Sequence, residues 1–333
     1  MNESRPDPVS SPSSAELESA WRTLEGLQTE IGKVLIGQQA VLEQILVAMA
    51  AAGHVLVEGV PGLGKTLLVR ALAASVAGSF GRIQFTSDLM PSDITGHAIY
   101  DLKTEEFRIR RGPVFCNFLL ADEINRAPAK TQAALLEVMQ EGQVTIEGKP
   151  FLLKPPFLVL ATQNPVEQEG TYPLPEAQLD RFLLKVLMEY PEPADEQTLV
   201  RSVVTGHVGD KLDISRLLPQ AELAGILALQ ATAARLTVDA RVLEYAVNIV
   251  IGTREHPGLA LGSGPRGGIA LIRAARGLAL LRQRDYVTPD DIKGMARAAL
   301  RHRLTLAAEL TMEGGSADEV VDELLERVAA PRL

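Results

Sequence analysis

A parallel α/β sheet followed by a helical region is the fold this sequence predicts, and three observations predict it. Five short β-branched or leucine-rich runs, at residues 55–57, 82–85, 118–121, 157–160 and 183–187, are separated by longer stretches with helical spacing. Strands joined through helices have to run parallel, because a tight turn cannot return the chain to the same end of the sheet. After Tyr190-Pro191-Glu192-Pro193 the strand-like runs disappear, and the chain becomes Ala-, Leu- and Arg-rich with helical periodicity almost to its end. Finally, a glycine-rich loop, Gly59-Val60-Pro61-Gly62-Leu63-Gly64-Lys65-Thr66, stands between the first run and a helical stretch.

The elements follow in order. Residues 1–14 read as a soluble, disordered leader, with Pro, Ser and charge but no apolar core. Leu17, Trp21, Leu24 and Leu27, then Val41, Ile45, Leu46 and Met49, recur at spacings of three and four and predict helices ahead of the first strand. The α/β domain is expected over 15–190 and a small all-α domain over 191–333. Within the first domain, residues 143–153 alternate on both sides of a Gly-containing turn, which predicts a projecting β-hairpin.

Composition narrows the function. A hydrophobic fraction of 46% across 333 residues is ample for a core and excludes wholesale disorder. The longest charge-free window, between Glu43 and Glu58, is shorter than the roughly 18 to 20 apolar residues that span a bilayer, so no membrane span is expected and the chain is read as cytoplasmic. Cys116 is alone, and the histidines show no metal-ligand spacing, which excludes an intramolecular disulfide and argues against structural zinc. A net charge of −9 argues against binding nucleic acid through overall electrostatics.

The glycine-rich loop is a complete G-x-x-x-x-G-K-[ST] in its strand-loop-helix setting. Its glycines let successive backbone N–H groups point inward at phosphate oxygens, and the helix N-terminus adds its positive end. Gly59, Val60, Pro61, Gly62, Leu63, Gly64, Lys65 and Thr66, with Leu67 opening the helix, are the candidate nucleotide-binding set. Lys65 is suited to the β and γ phosphates and Thr66 to Mg²⁺. The run Phe118-Leu119-Leu120-Ala121 then places Asp122 at the carboxyl end of a buried strand, where open α/β sheets bind ligands. Asp122 is the candidate metal holder, and Glu123 the candidate base that polarises the attacking water. ATP and Mg²⁺ are the expected cofactors. No asparagine is followed by Lys, so the Asn-Lys-x-Asp guanine reader is absent, and a small-molecule kinase has no use for Glu123 beside the metal.

With these residues in place the chain resembles an AAA+ ATPase of the MoxR family. The resemblance rests also on Asp122-Glu123-Ile124-Asn125-Arg126-Ala127-Pro128 and its continuation to Glu141, on Ala161-Thr162-Gln163-Asn164-Pro165, and on Gly170-Thr171-Tyr172-Pro173-Leu174-Pro175-Glu176-Ala177-Gln178-Leu179-Asp180-Arg181-Phe182. It implies a P-loop core with a five-stranded parallel sheet between helices and a helical lid, an insert at about 86–112 and a hairpin at about 143–154. It implies that Asn164 is the first sensor, orienting water beside the γ-phosphate; the alternative is a strand-end turn residue. It implies that Arg181 is an arginine finger reaching the neighbouring subunit's nucleotide, an interaction worth about 10³ to 10⁵ in rate; the alternative is a local ion pair with Asp180 or Glu176. Arg266 matches the second sensor, although Gly267 and Gly268 predict a looser or later helix start, each Gly costing about 0.8 to 1 kcal/mol against Ala. Arg108 and Arg110 share one face of a strand and either touch an acidic partner or pair with Asp101, Glu105 and Glu106. The family implies a homo-oligomeric, hexameric ring acting on a protein client or co-chaperone, candidate clients including proteins with a von Willebrand factor A domain and metal insertion being one outcome. A nucleic-acid motor sharing the core is the alternative.

Overall fold

The computed structural model describes residues 10–164, 170–204 and 214–332; residues 1–9 of the predicted leader lie outside them. Two helices lead in, α1 (Ser14–Gly32) and α2 (Gln39–Ala50). Ser13 caps α1 in a reciprocal box with Glu16, which satisfies donors that the first turn leaves free. The first half continues with β1 (Val55–Glu58), α3 (Lys65–Ser75), β2 (Phe80–Gln84), α4 (Pro91–Thr95), β3 (Gly96–Asp101), β4 (Glu106–Arg111) and β5 (Phe118–Asp122). Then come α5 (Ala129–Glu141), β6 (Gln143–Ile146), β7 (Lys149–Leu152), β8 (Leu158–Gln163), α6 (Glu176–Leu179) and β9 (Leu184–Leu187).

β1, β2, β5, β8 and β9 form the expected five-stranded parallel sheet, in the order β2-β5-β8-β1-β9. Strand period decides how the sheet is covered. Val55 and Val57, Phe118 and Leu120, and Leu158 and Leu160 enter one apolar cluster, whereas Leu56, Leu119, Ala121, Val159 and Ala161 enter a second on the opposite face. Burial on both faces explains why β1, β5 and β8 read as continuous apolar runs. The two antiparallel hairpins, β3–β4 in the insert and β6–β7, are not hydrogen-bonded into the sheet, although Val144 and Ile146 of β6 pack into the second cluster.

The rest is α7 (Pro193–Val204), α8 (Leu223–Ala234), α9 (Ala240–Glu255), β10 (Leu259–Leu261), α10 (Pro265–Leu281), α11 (Pro289–Leu300), β11 (Thr305–Leu306), α12 (Ala308–Met312) and α13 (Ala317–Arg327). The antiparallel pair β10–β11 is an addition to the expected helical lid. The first apolar cluster runs without a break from the sheet through α1 and α2 into α8, α9, α10 and α11, so the lid helices share a core with the leading helices. Among the described residues no helix is long and apolar enough to cross a membrane.

One local expectation is corrected. α10 starts sharply at Pro265 despite Gly267 and Gly268, with Gly264 at its N-cap. Gly267 serves close packing: a Cβ there would lie 2.1 Å from Ser263 Oγ and 3.1 Å from Leu300 Cδ2. Approach of neighbouring groups, which the spacing of residues does not reveal, outweighs the propensity cost.

Candidate functional site

The loop between β1 and α3 is built for close backbone curvature. Gly62 and Gly64 have φ of +89° and +90°, a conformation that costs an L side chain its Cβ clearance. Gly64 caps α3 with no side chain bonded to the first turn, which leaves those N–H groups available to an anion. Lys65 Nζ is half-buried and donates to the Gly59 carbonyl at 2.5 Å. Burial lowers the ammonium's pKa, while Asp122, Glu123 and Glu58 draw it back up. Beside the loop is a cavity of about 310 Å³ lined by Val34, Leu35, Ile36, Gly62, Gly64 and Tyr190 among others. Its apolar walls suit a flat base, and the adjoining N–H cradle suits phosphates.

β5 sits two places from β1, separated by β8, and delivers the two carboxylates to the same end of the sheet. Thr162 Oγ1 on β8 donates to Asp122 Oδ1 at 2.7 Å, and Arg82 Nη2 on β2 donates to Asp122 Oδ2 at 2.7 Å. Glu123 turns off the strand with φ of +56°, and its amide donates to Thr162 Oγ1 at 2.9 Å. Its Oε2 accepts from Gln84 Nε2 at 2.7 Å and from Arg126 Nη1 at 3.0 Å. Asn164 follows β8 directly and is buried. Lys65, Thr66, Asp122, Glu123 and Asn164 therefore gather at the carboxyl end of the sheet. An ammonium, a hydroxyl and a carboxylate around an N–H cradle match the donors a magnesium nucleotide requires, so the residues fit that group. Thr66 and Asp122 would hold Mg²⁺, which supplies neutralisation of phosphate charge.

Arg82, Gln84, Arg126 and Thr162 were not singled out in the sequence. Arg82 and Gln84 alternate on one face of β2, but only the register that pairs Gln84 with Asp122 brings that face to the site.

Arg181 and Arg266 occur elsewhere. Both line a cavity of about 360 Å³ together with Gly53, His54, Asp180, Phe182, Arg273 and Arg303. Gly53 and His54 precede β1, and Leu183 precedes β9, so this cavity opens at the amino ends of strands whose carboxyl ends carry the glycine-rich loop. From His54 to Gly59 the strand covers about 16 Å at about 3.3 Å per residue. Among the described residues the Arg181 side chain forms neither an ion pair nor a hydrogen bond. The two carboxylates that could have paired with it are taken: Asp180 by Arg303 at 2.7 Å and Arg266 at 3.6 Å, and Glu176 by Thr305 Oγ1 at 2.7 Å. In the insert hairpin Arg108 pairs with Asp101 at 3.2 Å, whereas Arg111 lies over the Phe115 ring at 5.1 Å.

Relatives agree with this geometry. The family described as ATPase family associated with various cellular activities (AAA) matches residues 54–184, and the AAA lid domain matches residues 251–324. YeaC of Bacillus subtilis is 49% identical over 301 residues, covering 90% of this chain and 92% of that protein. Chaperone MoxR1 of Mycobacterium tuberculosis is 45% identical over 337 residues, covering 97% of this chain and 86% of that protein. A crystal structure from Cytophaga hutchinsonii superposes with a TM-score of 0.88 at 39% identity, covering 96% of this chain and 98% of that one. Likeness of this extent takes in the glycine-rich loop, the parallel sheet and the helical lid together, and the chain belongs to the MoxR family of AAA+ ATPases, enzymes that hydrolyse ATP.

Proposed function

We propose that this chain hydrolyses ATP at the interfaces of a homo-oligomeric, hexameric ring and uses the turnover to remodel, activate or mature a protein client. The observation that carries the reading is the position of Arg181. A guanidinium at the amino end of the sheet has no route to its own glycine-rich loop, but it is open to a neighbouring copy. Arg266 lines the same cavity and pairs with Asp180 at 3.6 Å, and we assign it to the same interface.

Each group then has a defined task. The backbone amides of residues 62–66 and Lys65 bind the phosphates, Thr66 and Asp122 hold Mg²⁺, and Asn164 with Glu123 orients the attacking water. Glu123 accepts a proton from that water as it adds to the γ-phosphorus, and ADP departs as the bond to the β-phosphate oxygen breaks. Arg181 from the adjacent copy neutralises the charge that spreads over the transferred group. Because the cavity joins the sheet to α10, hydrolysis there biases the relative position of the core and the lid.

The insert hairpin β3–β4 exposes Tyr100, Leu102 and Phe107, with the Tyr100 and Phe107 rings packed edge to face at 5.2 Å. We assign this apolar tip to client contact, a protein with a von Willebrand factor A domain being the class the family resemblance suggests. The test is turnover per subunit against protein concentration. A steep rise that Arg181→Ala abolishes, with nucleotide binding retained, is expected; turnover independent of concentration would overturn the ring. Pull-down with Glu123→Gln held in ATP then identifies the client.

A further inference from the structure

Arg181 lies on a short segment between α6 and β9, and that segment is held from far along the chain. Arg303 follows α11 in a 3-10 turn, and its side chain is only 4% exposed. A guanidinium carries five N–H donors, and this one directs all five at acceptors. Nε donates to Asp180 Oδ1 at 2.7 Å; Nη2 donates to the Phe182 carbonyl at 2.7 Å and the Asp180 carbonyl at 3.3 Å. Nη1 donates to the Leu183 carbonyl at 3.3 Å and to the Ala299 carbonyl at the end of α11. Buried His302 places Nε2 3.0 Å from the same Phe182 carbonyl.

The pattern is specific. The carbonyls of residues 180, 182 and 183 bracket Arg181 on both sides, and the carboxylate next to it is engaged as well, while the Arg181 guanidinium is bound by none of the described residues. Four of its contacts end on the finger segment, one on α11 and a sixth, at 2.9 Å, on the adjacent His302 Nε2, so the Arg303 guanidinium ties that segment to the lid. Asp180 extends the link, since Oδ1 takes Arg303 while Oδ2 faces Arg266 at 3.6 Å. Without that carboxylate, the four arginines that line the cavity, Arg181, Arg266, Arg273 and Arg303, would crowd it with like charge. Desolvating a guanidinium is costly, and removing a partner leaves unmet charge, so such a network keeps a single arrangement.

We propose that Arg303 is a positioning residue for Arg181: it locks the backbone on both sides of the finger and makes the finger's place depend on the lid. This rests on the reading of Arg181 as a group acting on the neighbouring copy's nucleotide. Lys cannot replace Arg303, because its three donors on a single nitrogen cannot span acceptors spread along the segment.

The experiment uses the full chain and reads kcat and KM for ATP, binding of a fluorescent ATP analogue, assembly by sedimentation, and single-turnover hydrolysis for slow variants. Arg303→Lys is expected to lower kcat at least tenfold, with KM, analogue affinity and assembly within twofold of the parent. In an Arg181→Ala background the same substitution is expected to change single-turnover hydrolysis by less than twofold, because there is no finger left to position. Asp180→Asn, which keeps an acceptor and the shape, is expected to give a smaller loss of kcat that Arg181→Ala likewise masks; it decides the question where Arg303→Lys folds poorly. Unchanged kcat in both variants, or losses that multiply with that of Arg181→Ala, overturns the inference. A harmless Arg181→Ala overturns the finger reading instead.

Discussion

Thr162 Oγ1 donates to Asp122 Oδ1 at 2.7 Å and accepts the amide of Glu123 at 2.9 Å, so one buried hydroxyl on β8 orients both carboxylate-bearing residues at the end of β5. Thr162→Val keeps the shape and removes the hydroxyl. Turnover is expected to fall roughly tenfold to a hundredfold, the usual effect of losing the outer partner of a metal-holding group. Stability is expected to drop by about 1–3 kcal/mol, because a buried amide loses its acceptor. Steady-state hydrolysis and denaturant unfolding check the two effects separately; unchanged turnover would show that Asp122 needs no such support.

Glu123 reaches its position through a left-handed backbone, and Gln84 and Arg126 hold its carboxylate. Glu123→Gln keeps the size of the side chain and removes its charge. Hydrolysis is expected to fall about 10² to 10⁴-fold, as for removal of a general base. Nucleotide affinity, read by titration calorimetry, is expected to stay within a fewfold, because Lys65 and the loop amides remain; loss of binding would move Glu123 from the chemistry to the binding step.

His54 reports on acid stability. Its Nδ1 accepts the Val159 amide at 3.1 Å and its Nε2 faces the Met139 carbonyl at 3.1 Å, which fixes the neutral ring. Desolvation, opposed in part by the Met139 bond and reinforced by Arg273, lowers its pKa from 6.5 to about 4. The folded state therefore binds this proton less readily than the unfolded chain, so stability is complete above pH 6.5 and declines as pH falls toward 4. At pH 5 the loss is about 1–2 kcal/mol, reduced somewhat by the ring's open edge on the cavity. Urea unfolding at pH 7 and pH 5 is expected to show the decline, and His54→Gln to flatten it; an unchanged slope in His54→Gln would transfer the effect to buried His302, whose pKa is lowered too.

Two adjacent glycines in α10 separate propensity from packing. A Cβ at Gly268 meets only Val250 Cγ2 at 3.9 Å, so Gly268→Ala is expected to stabilise the protein by about 0.5–1 kcal/mol. A Cβ at Gly267 meets Ser263 Oγ at 2.1 Å, so Gly267→Ala is expected to lose about 1–3 kcal/mol despite the same helix gain, the usual cost of overpacking. Thermal unfolding of the two variants measures the difference. Equal shifts would mean that the start of α10 relaxes freely, and with it the placement of Arg266.

The features legible in the residue order are those encoded locally. The five runs became the five parallel strands; in the inner strands β1, β5 and β8 residues buried on both sheet faces have to be apolar without interruption, whereas the edge strands β2 and β9 keep polar residues on one face. The glycine-rich loop and the Asp122-Glu123 pair were legible, because backbone curvature and charge at a strand end depend on neighbours in the chain. Other features emerged only when distant segments packed together. Strand order put Thr162 and Gln84 on the carboxylates, residues about 40 positions away in sequence closing on them through register. Arg303, 120 positions beyond Leu183, became the tie on the segment that carries Arg181. Whether Arg181 was a local ion pair turned on which groups engaged Asp180 and Glu176, and those groups come from the lid. Hydrogen bonds and ion pairs are satisfied by proximity in space, and proximity between distant segments is set by how the core packs, which no local pattern of residue types records.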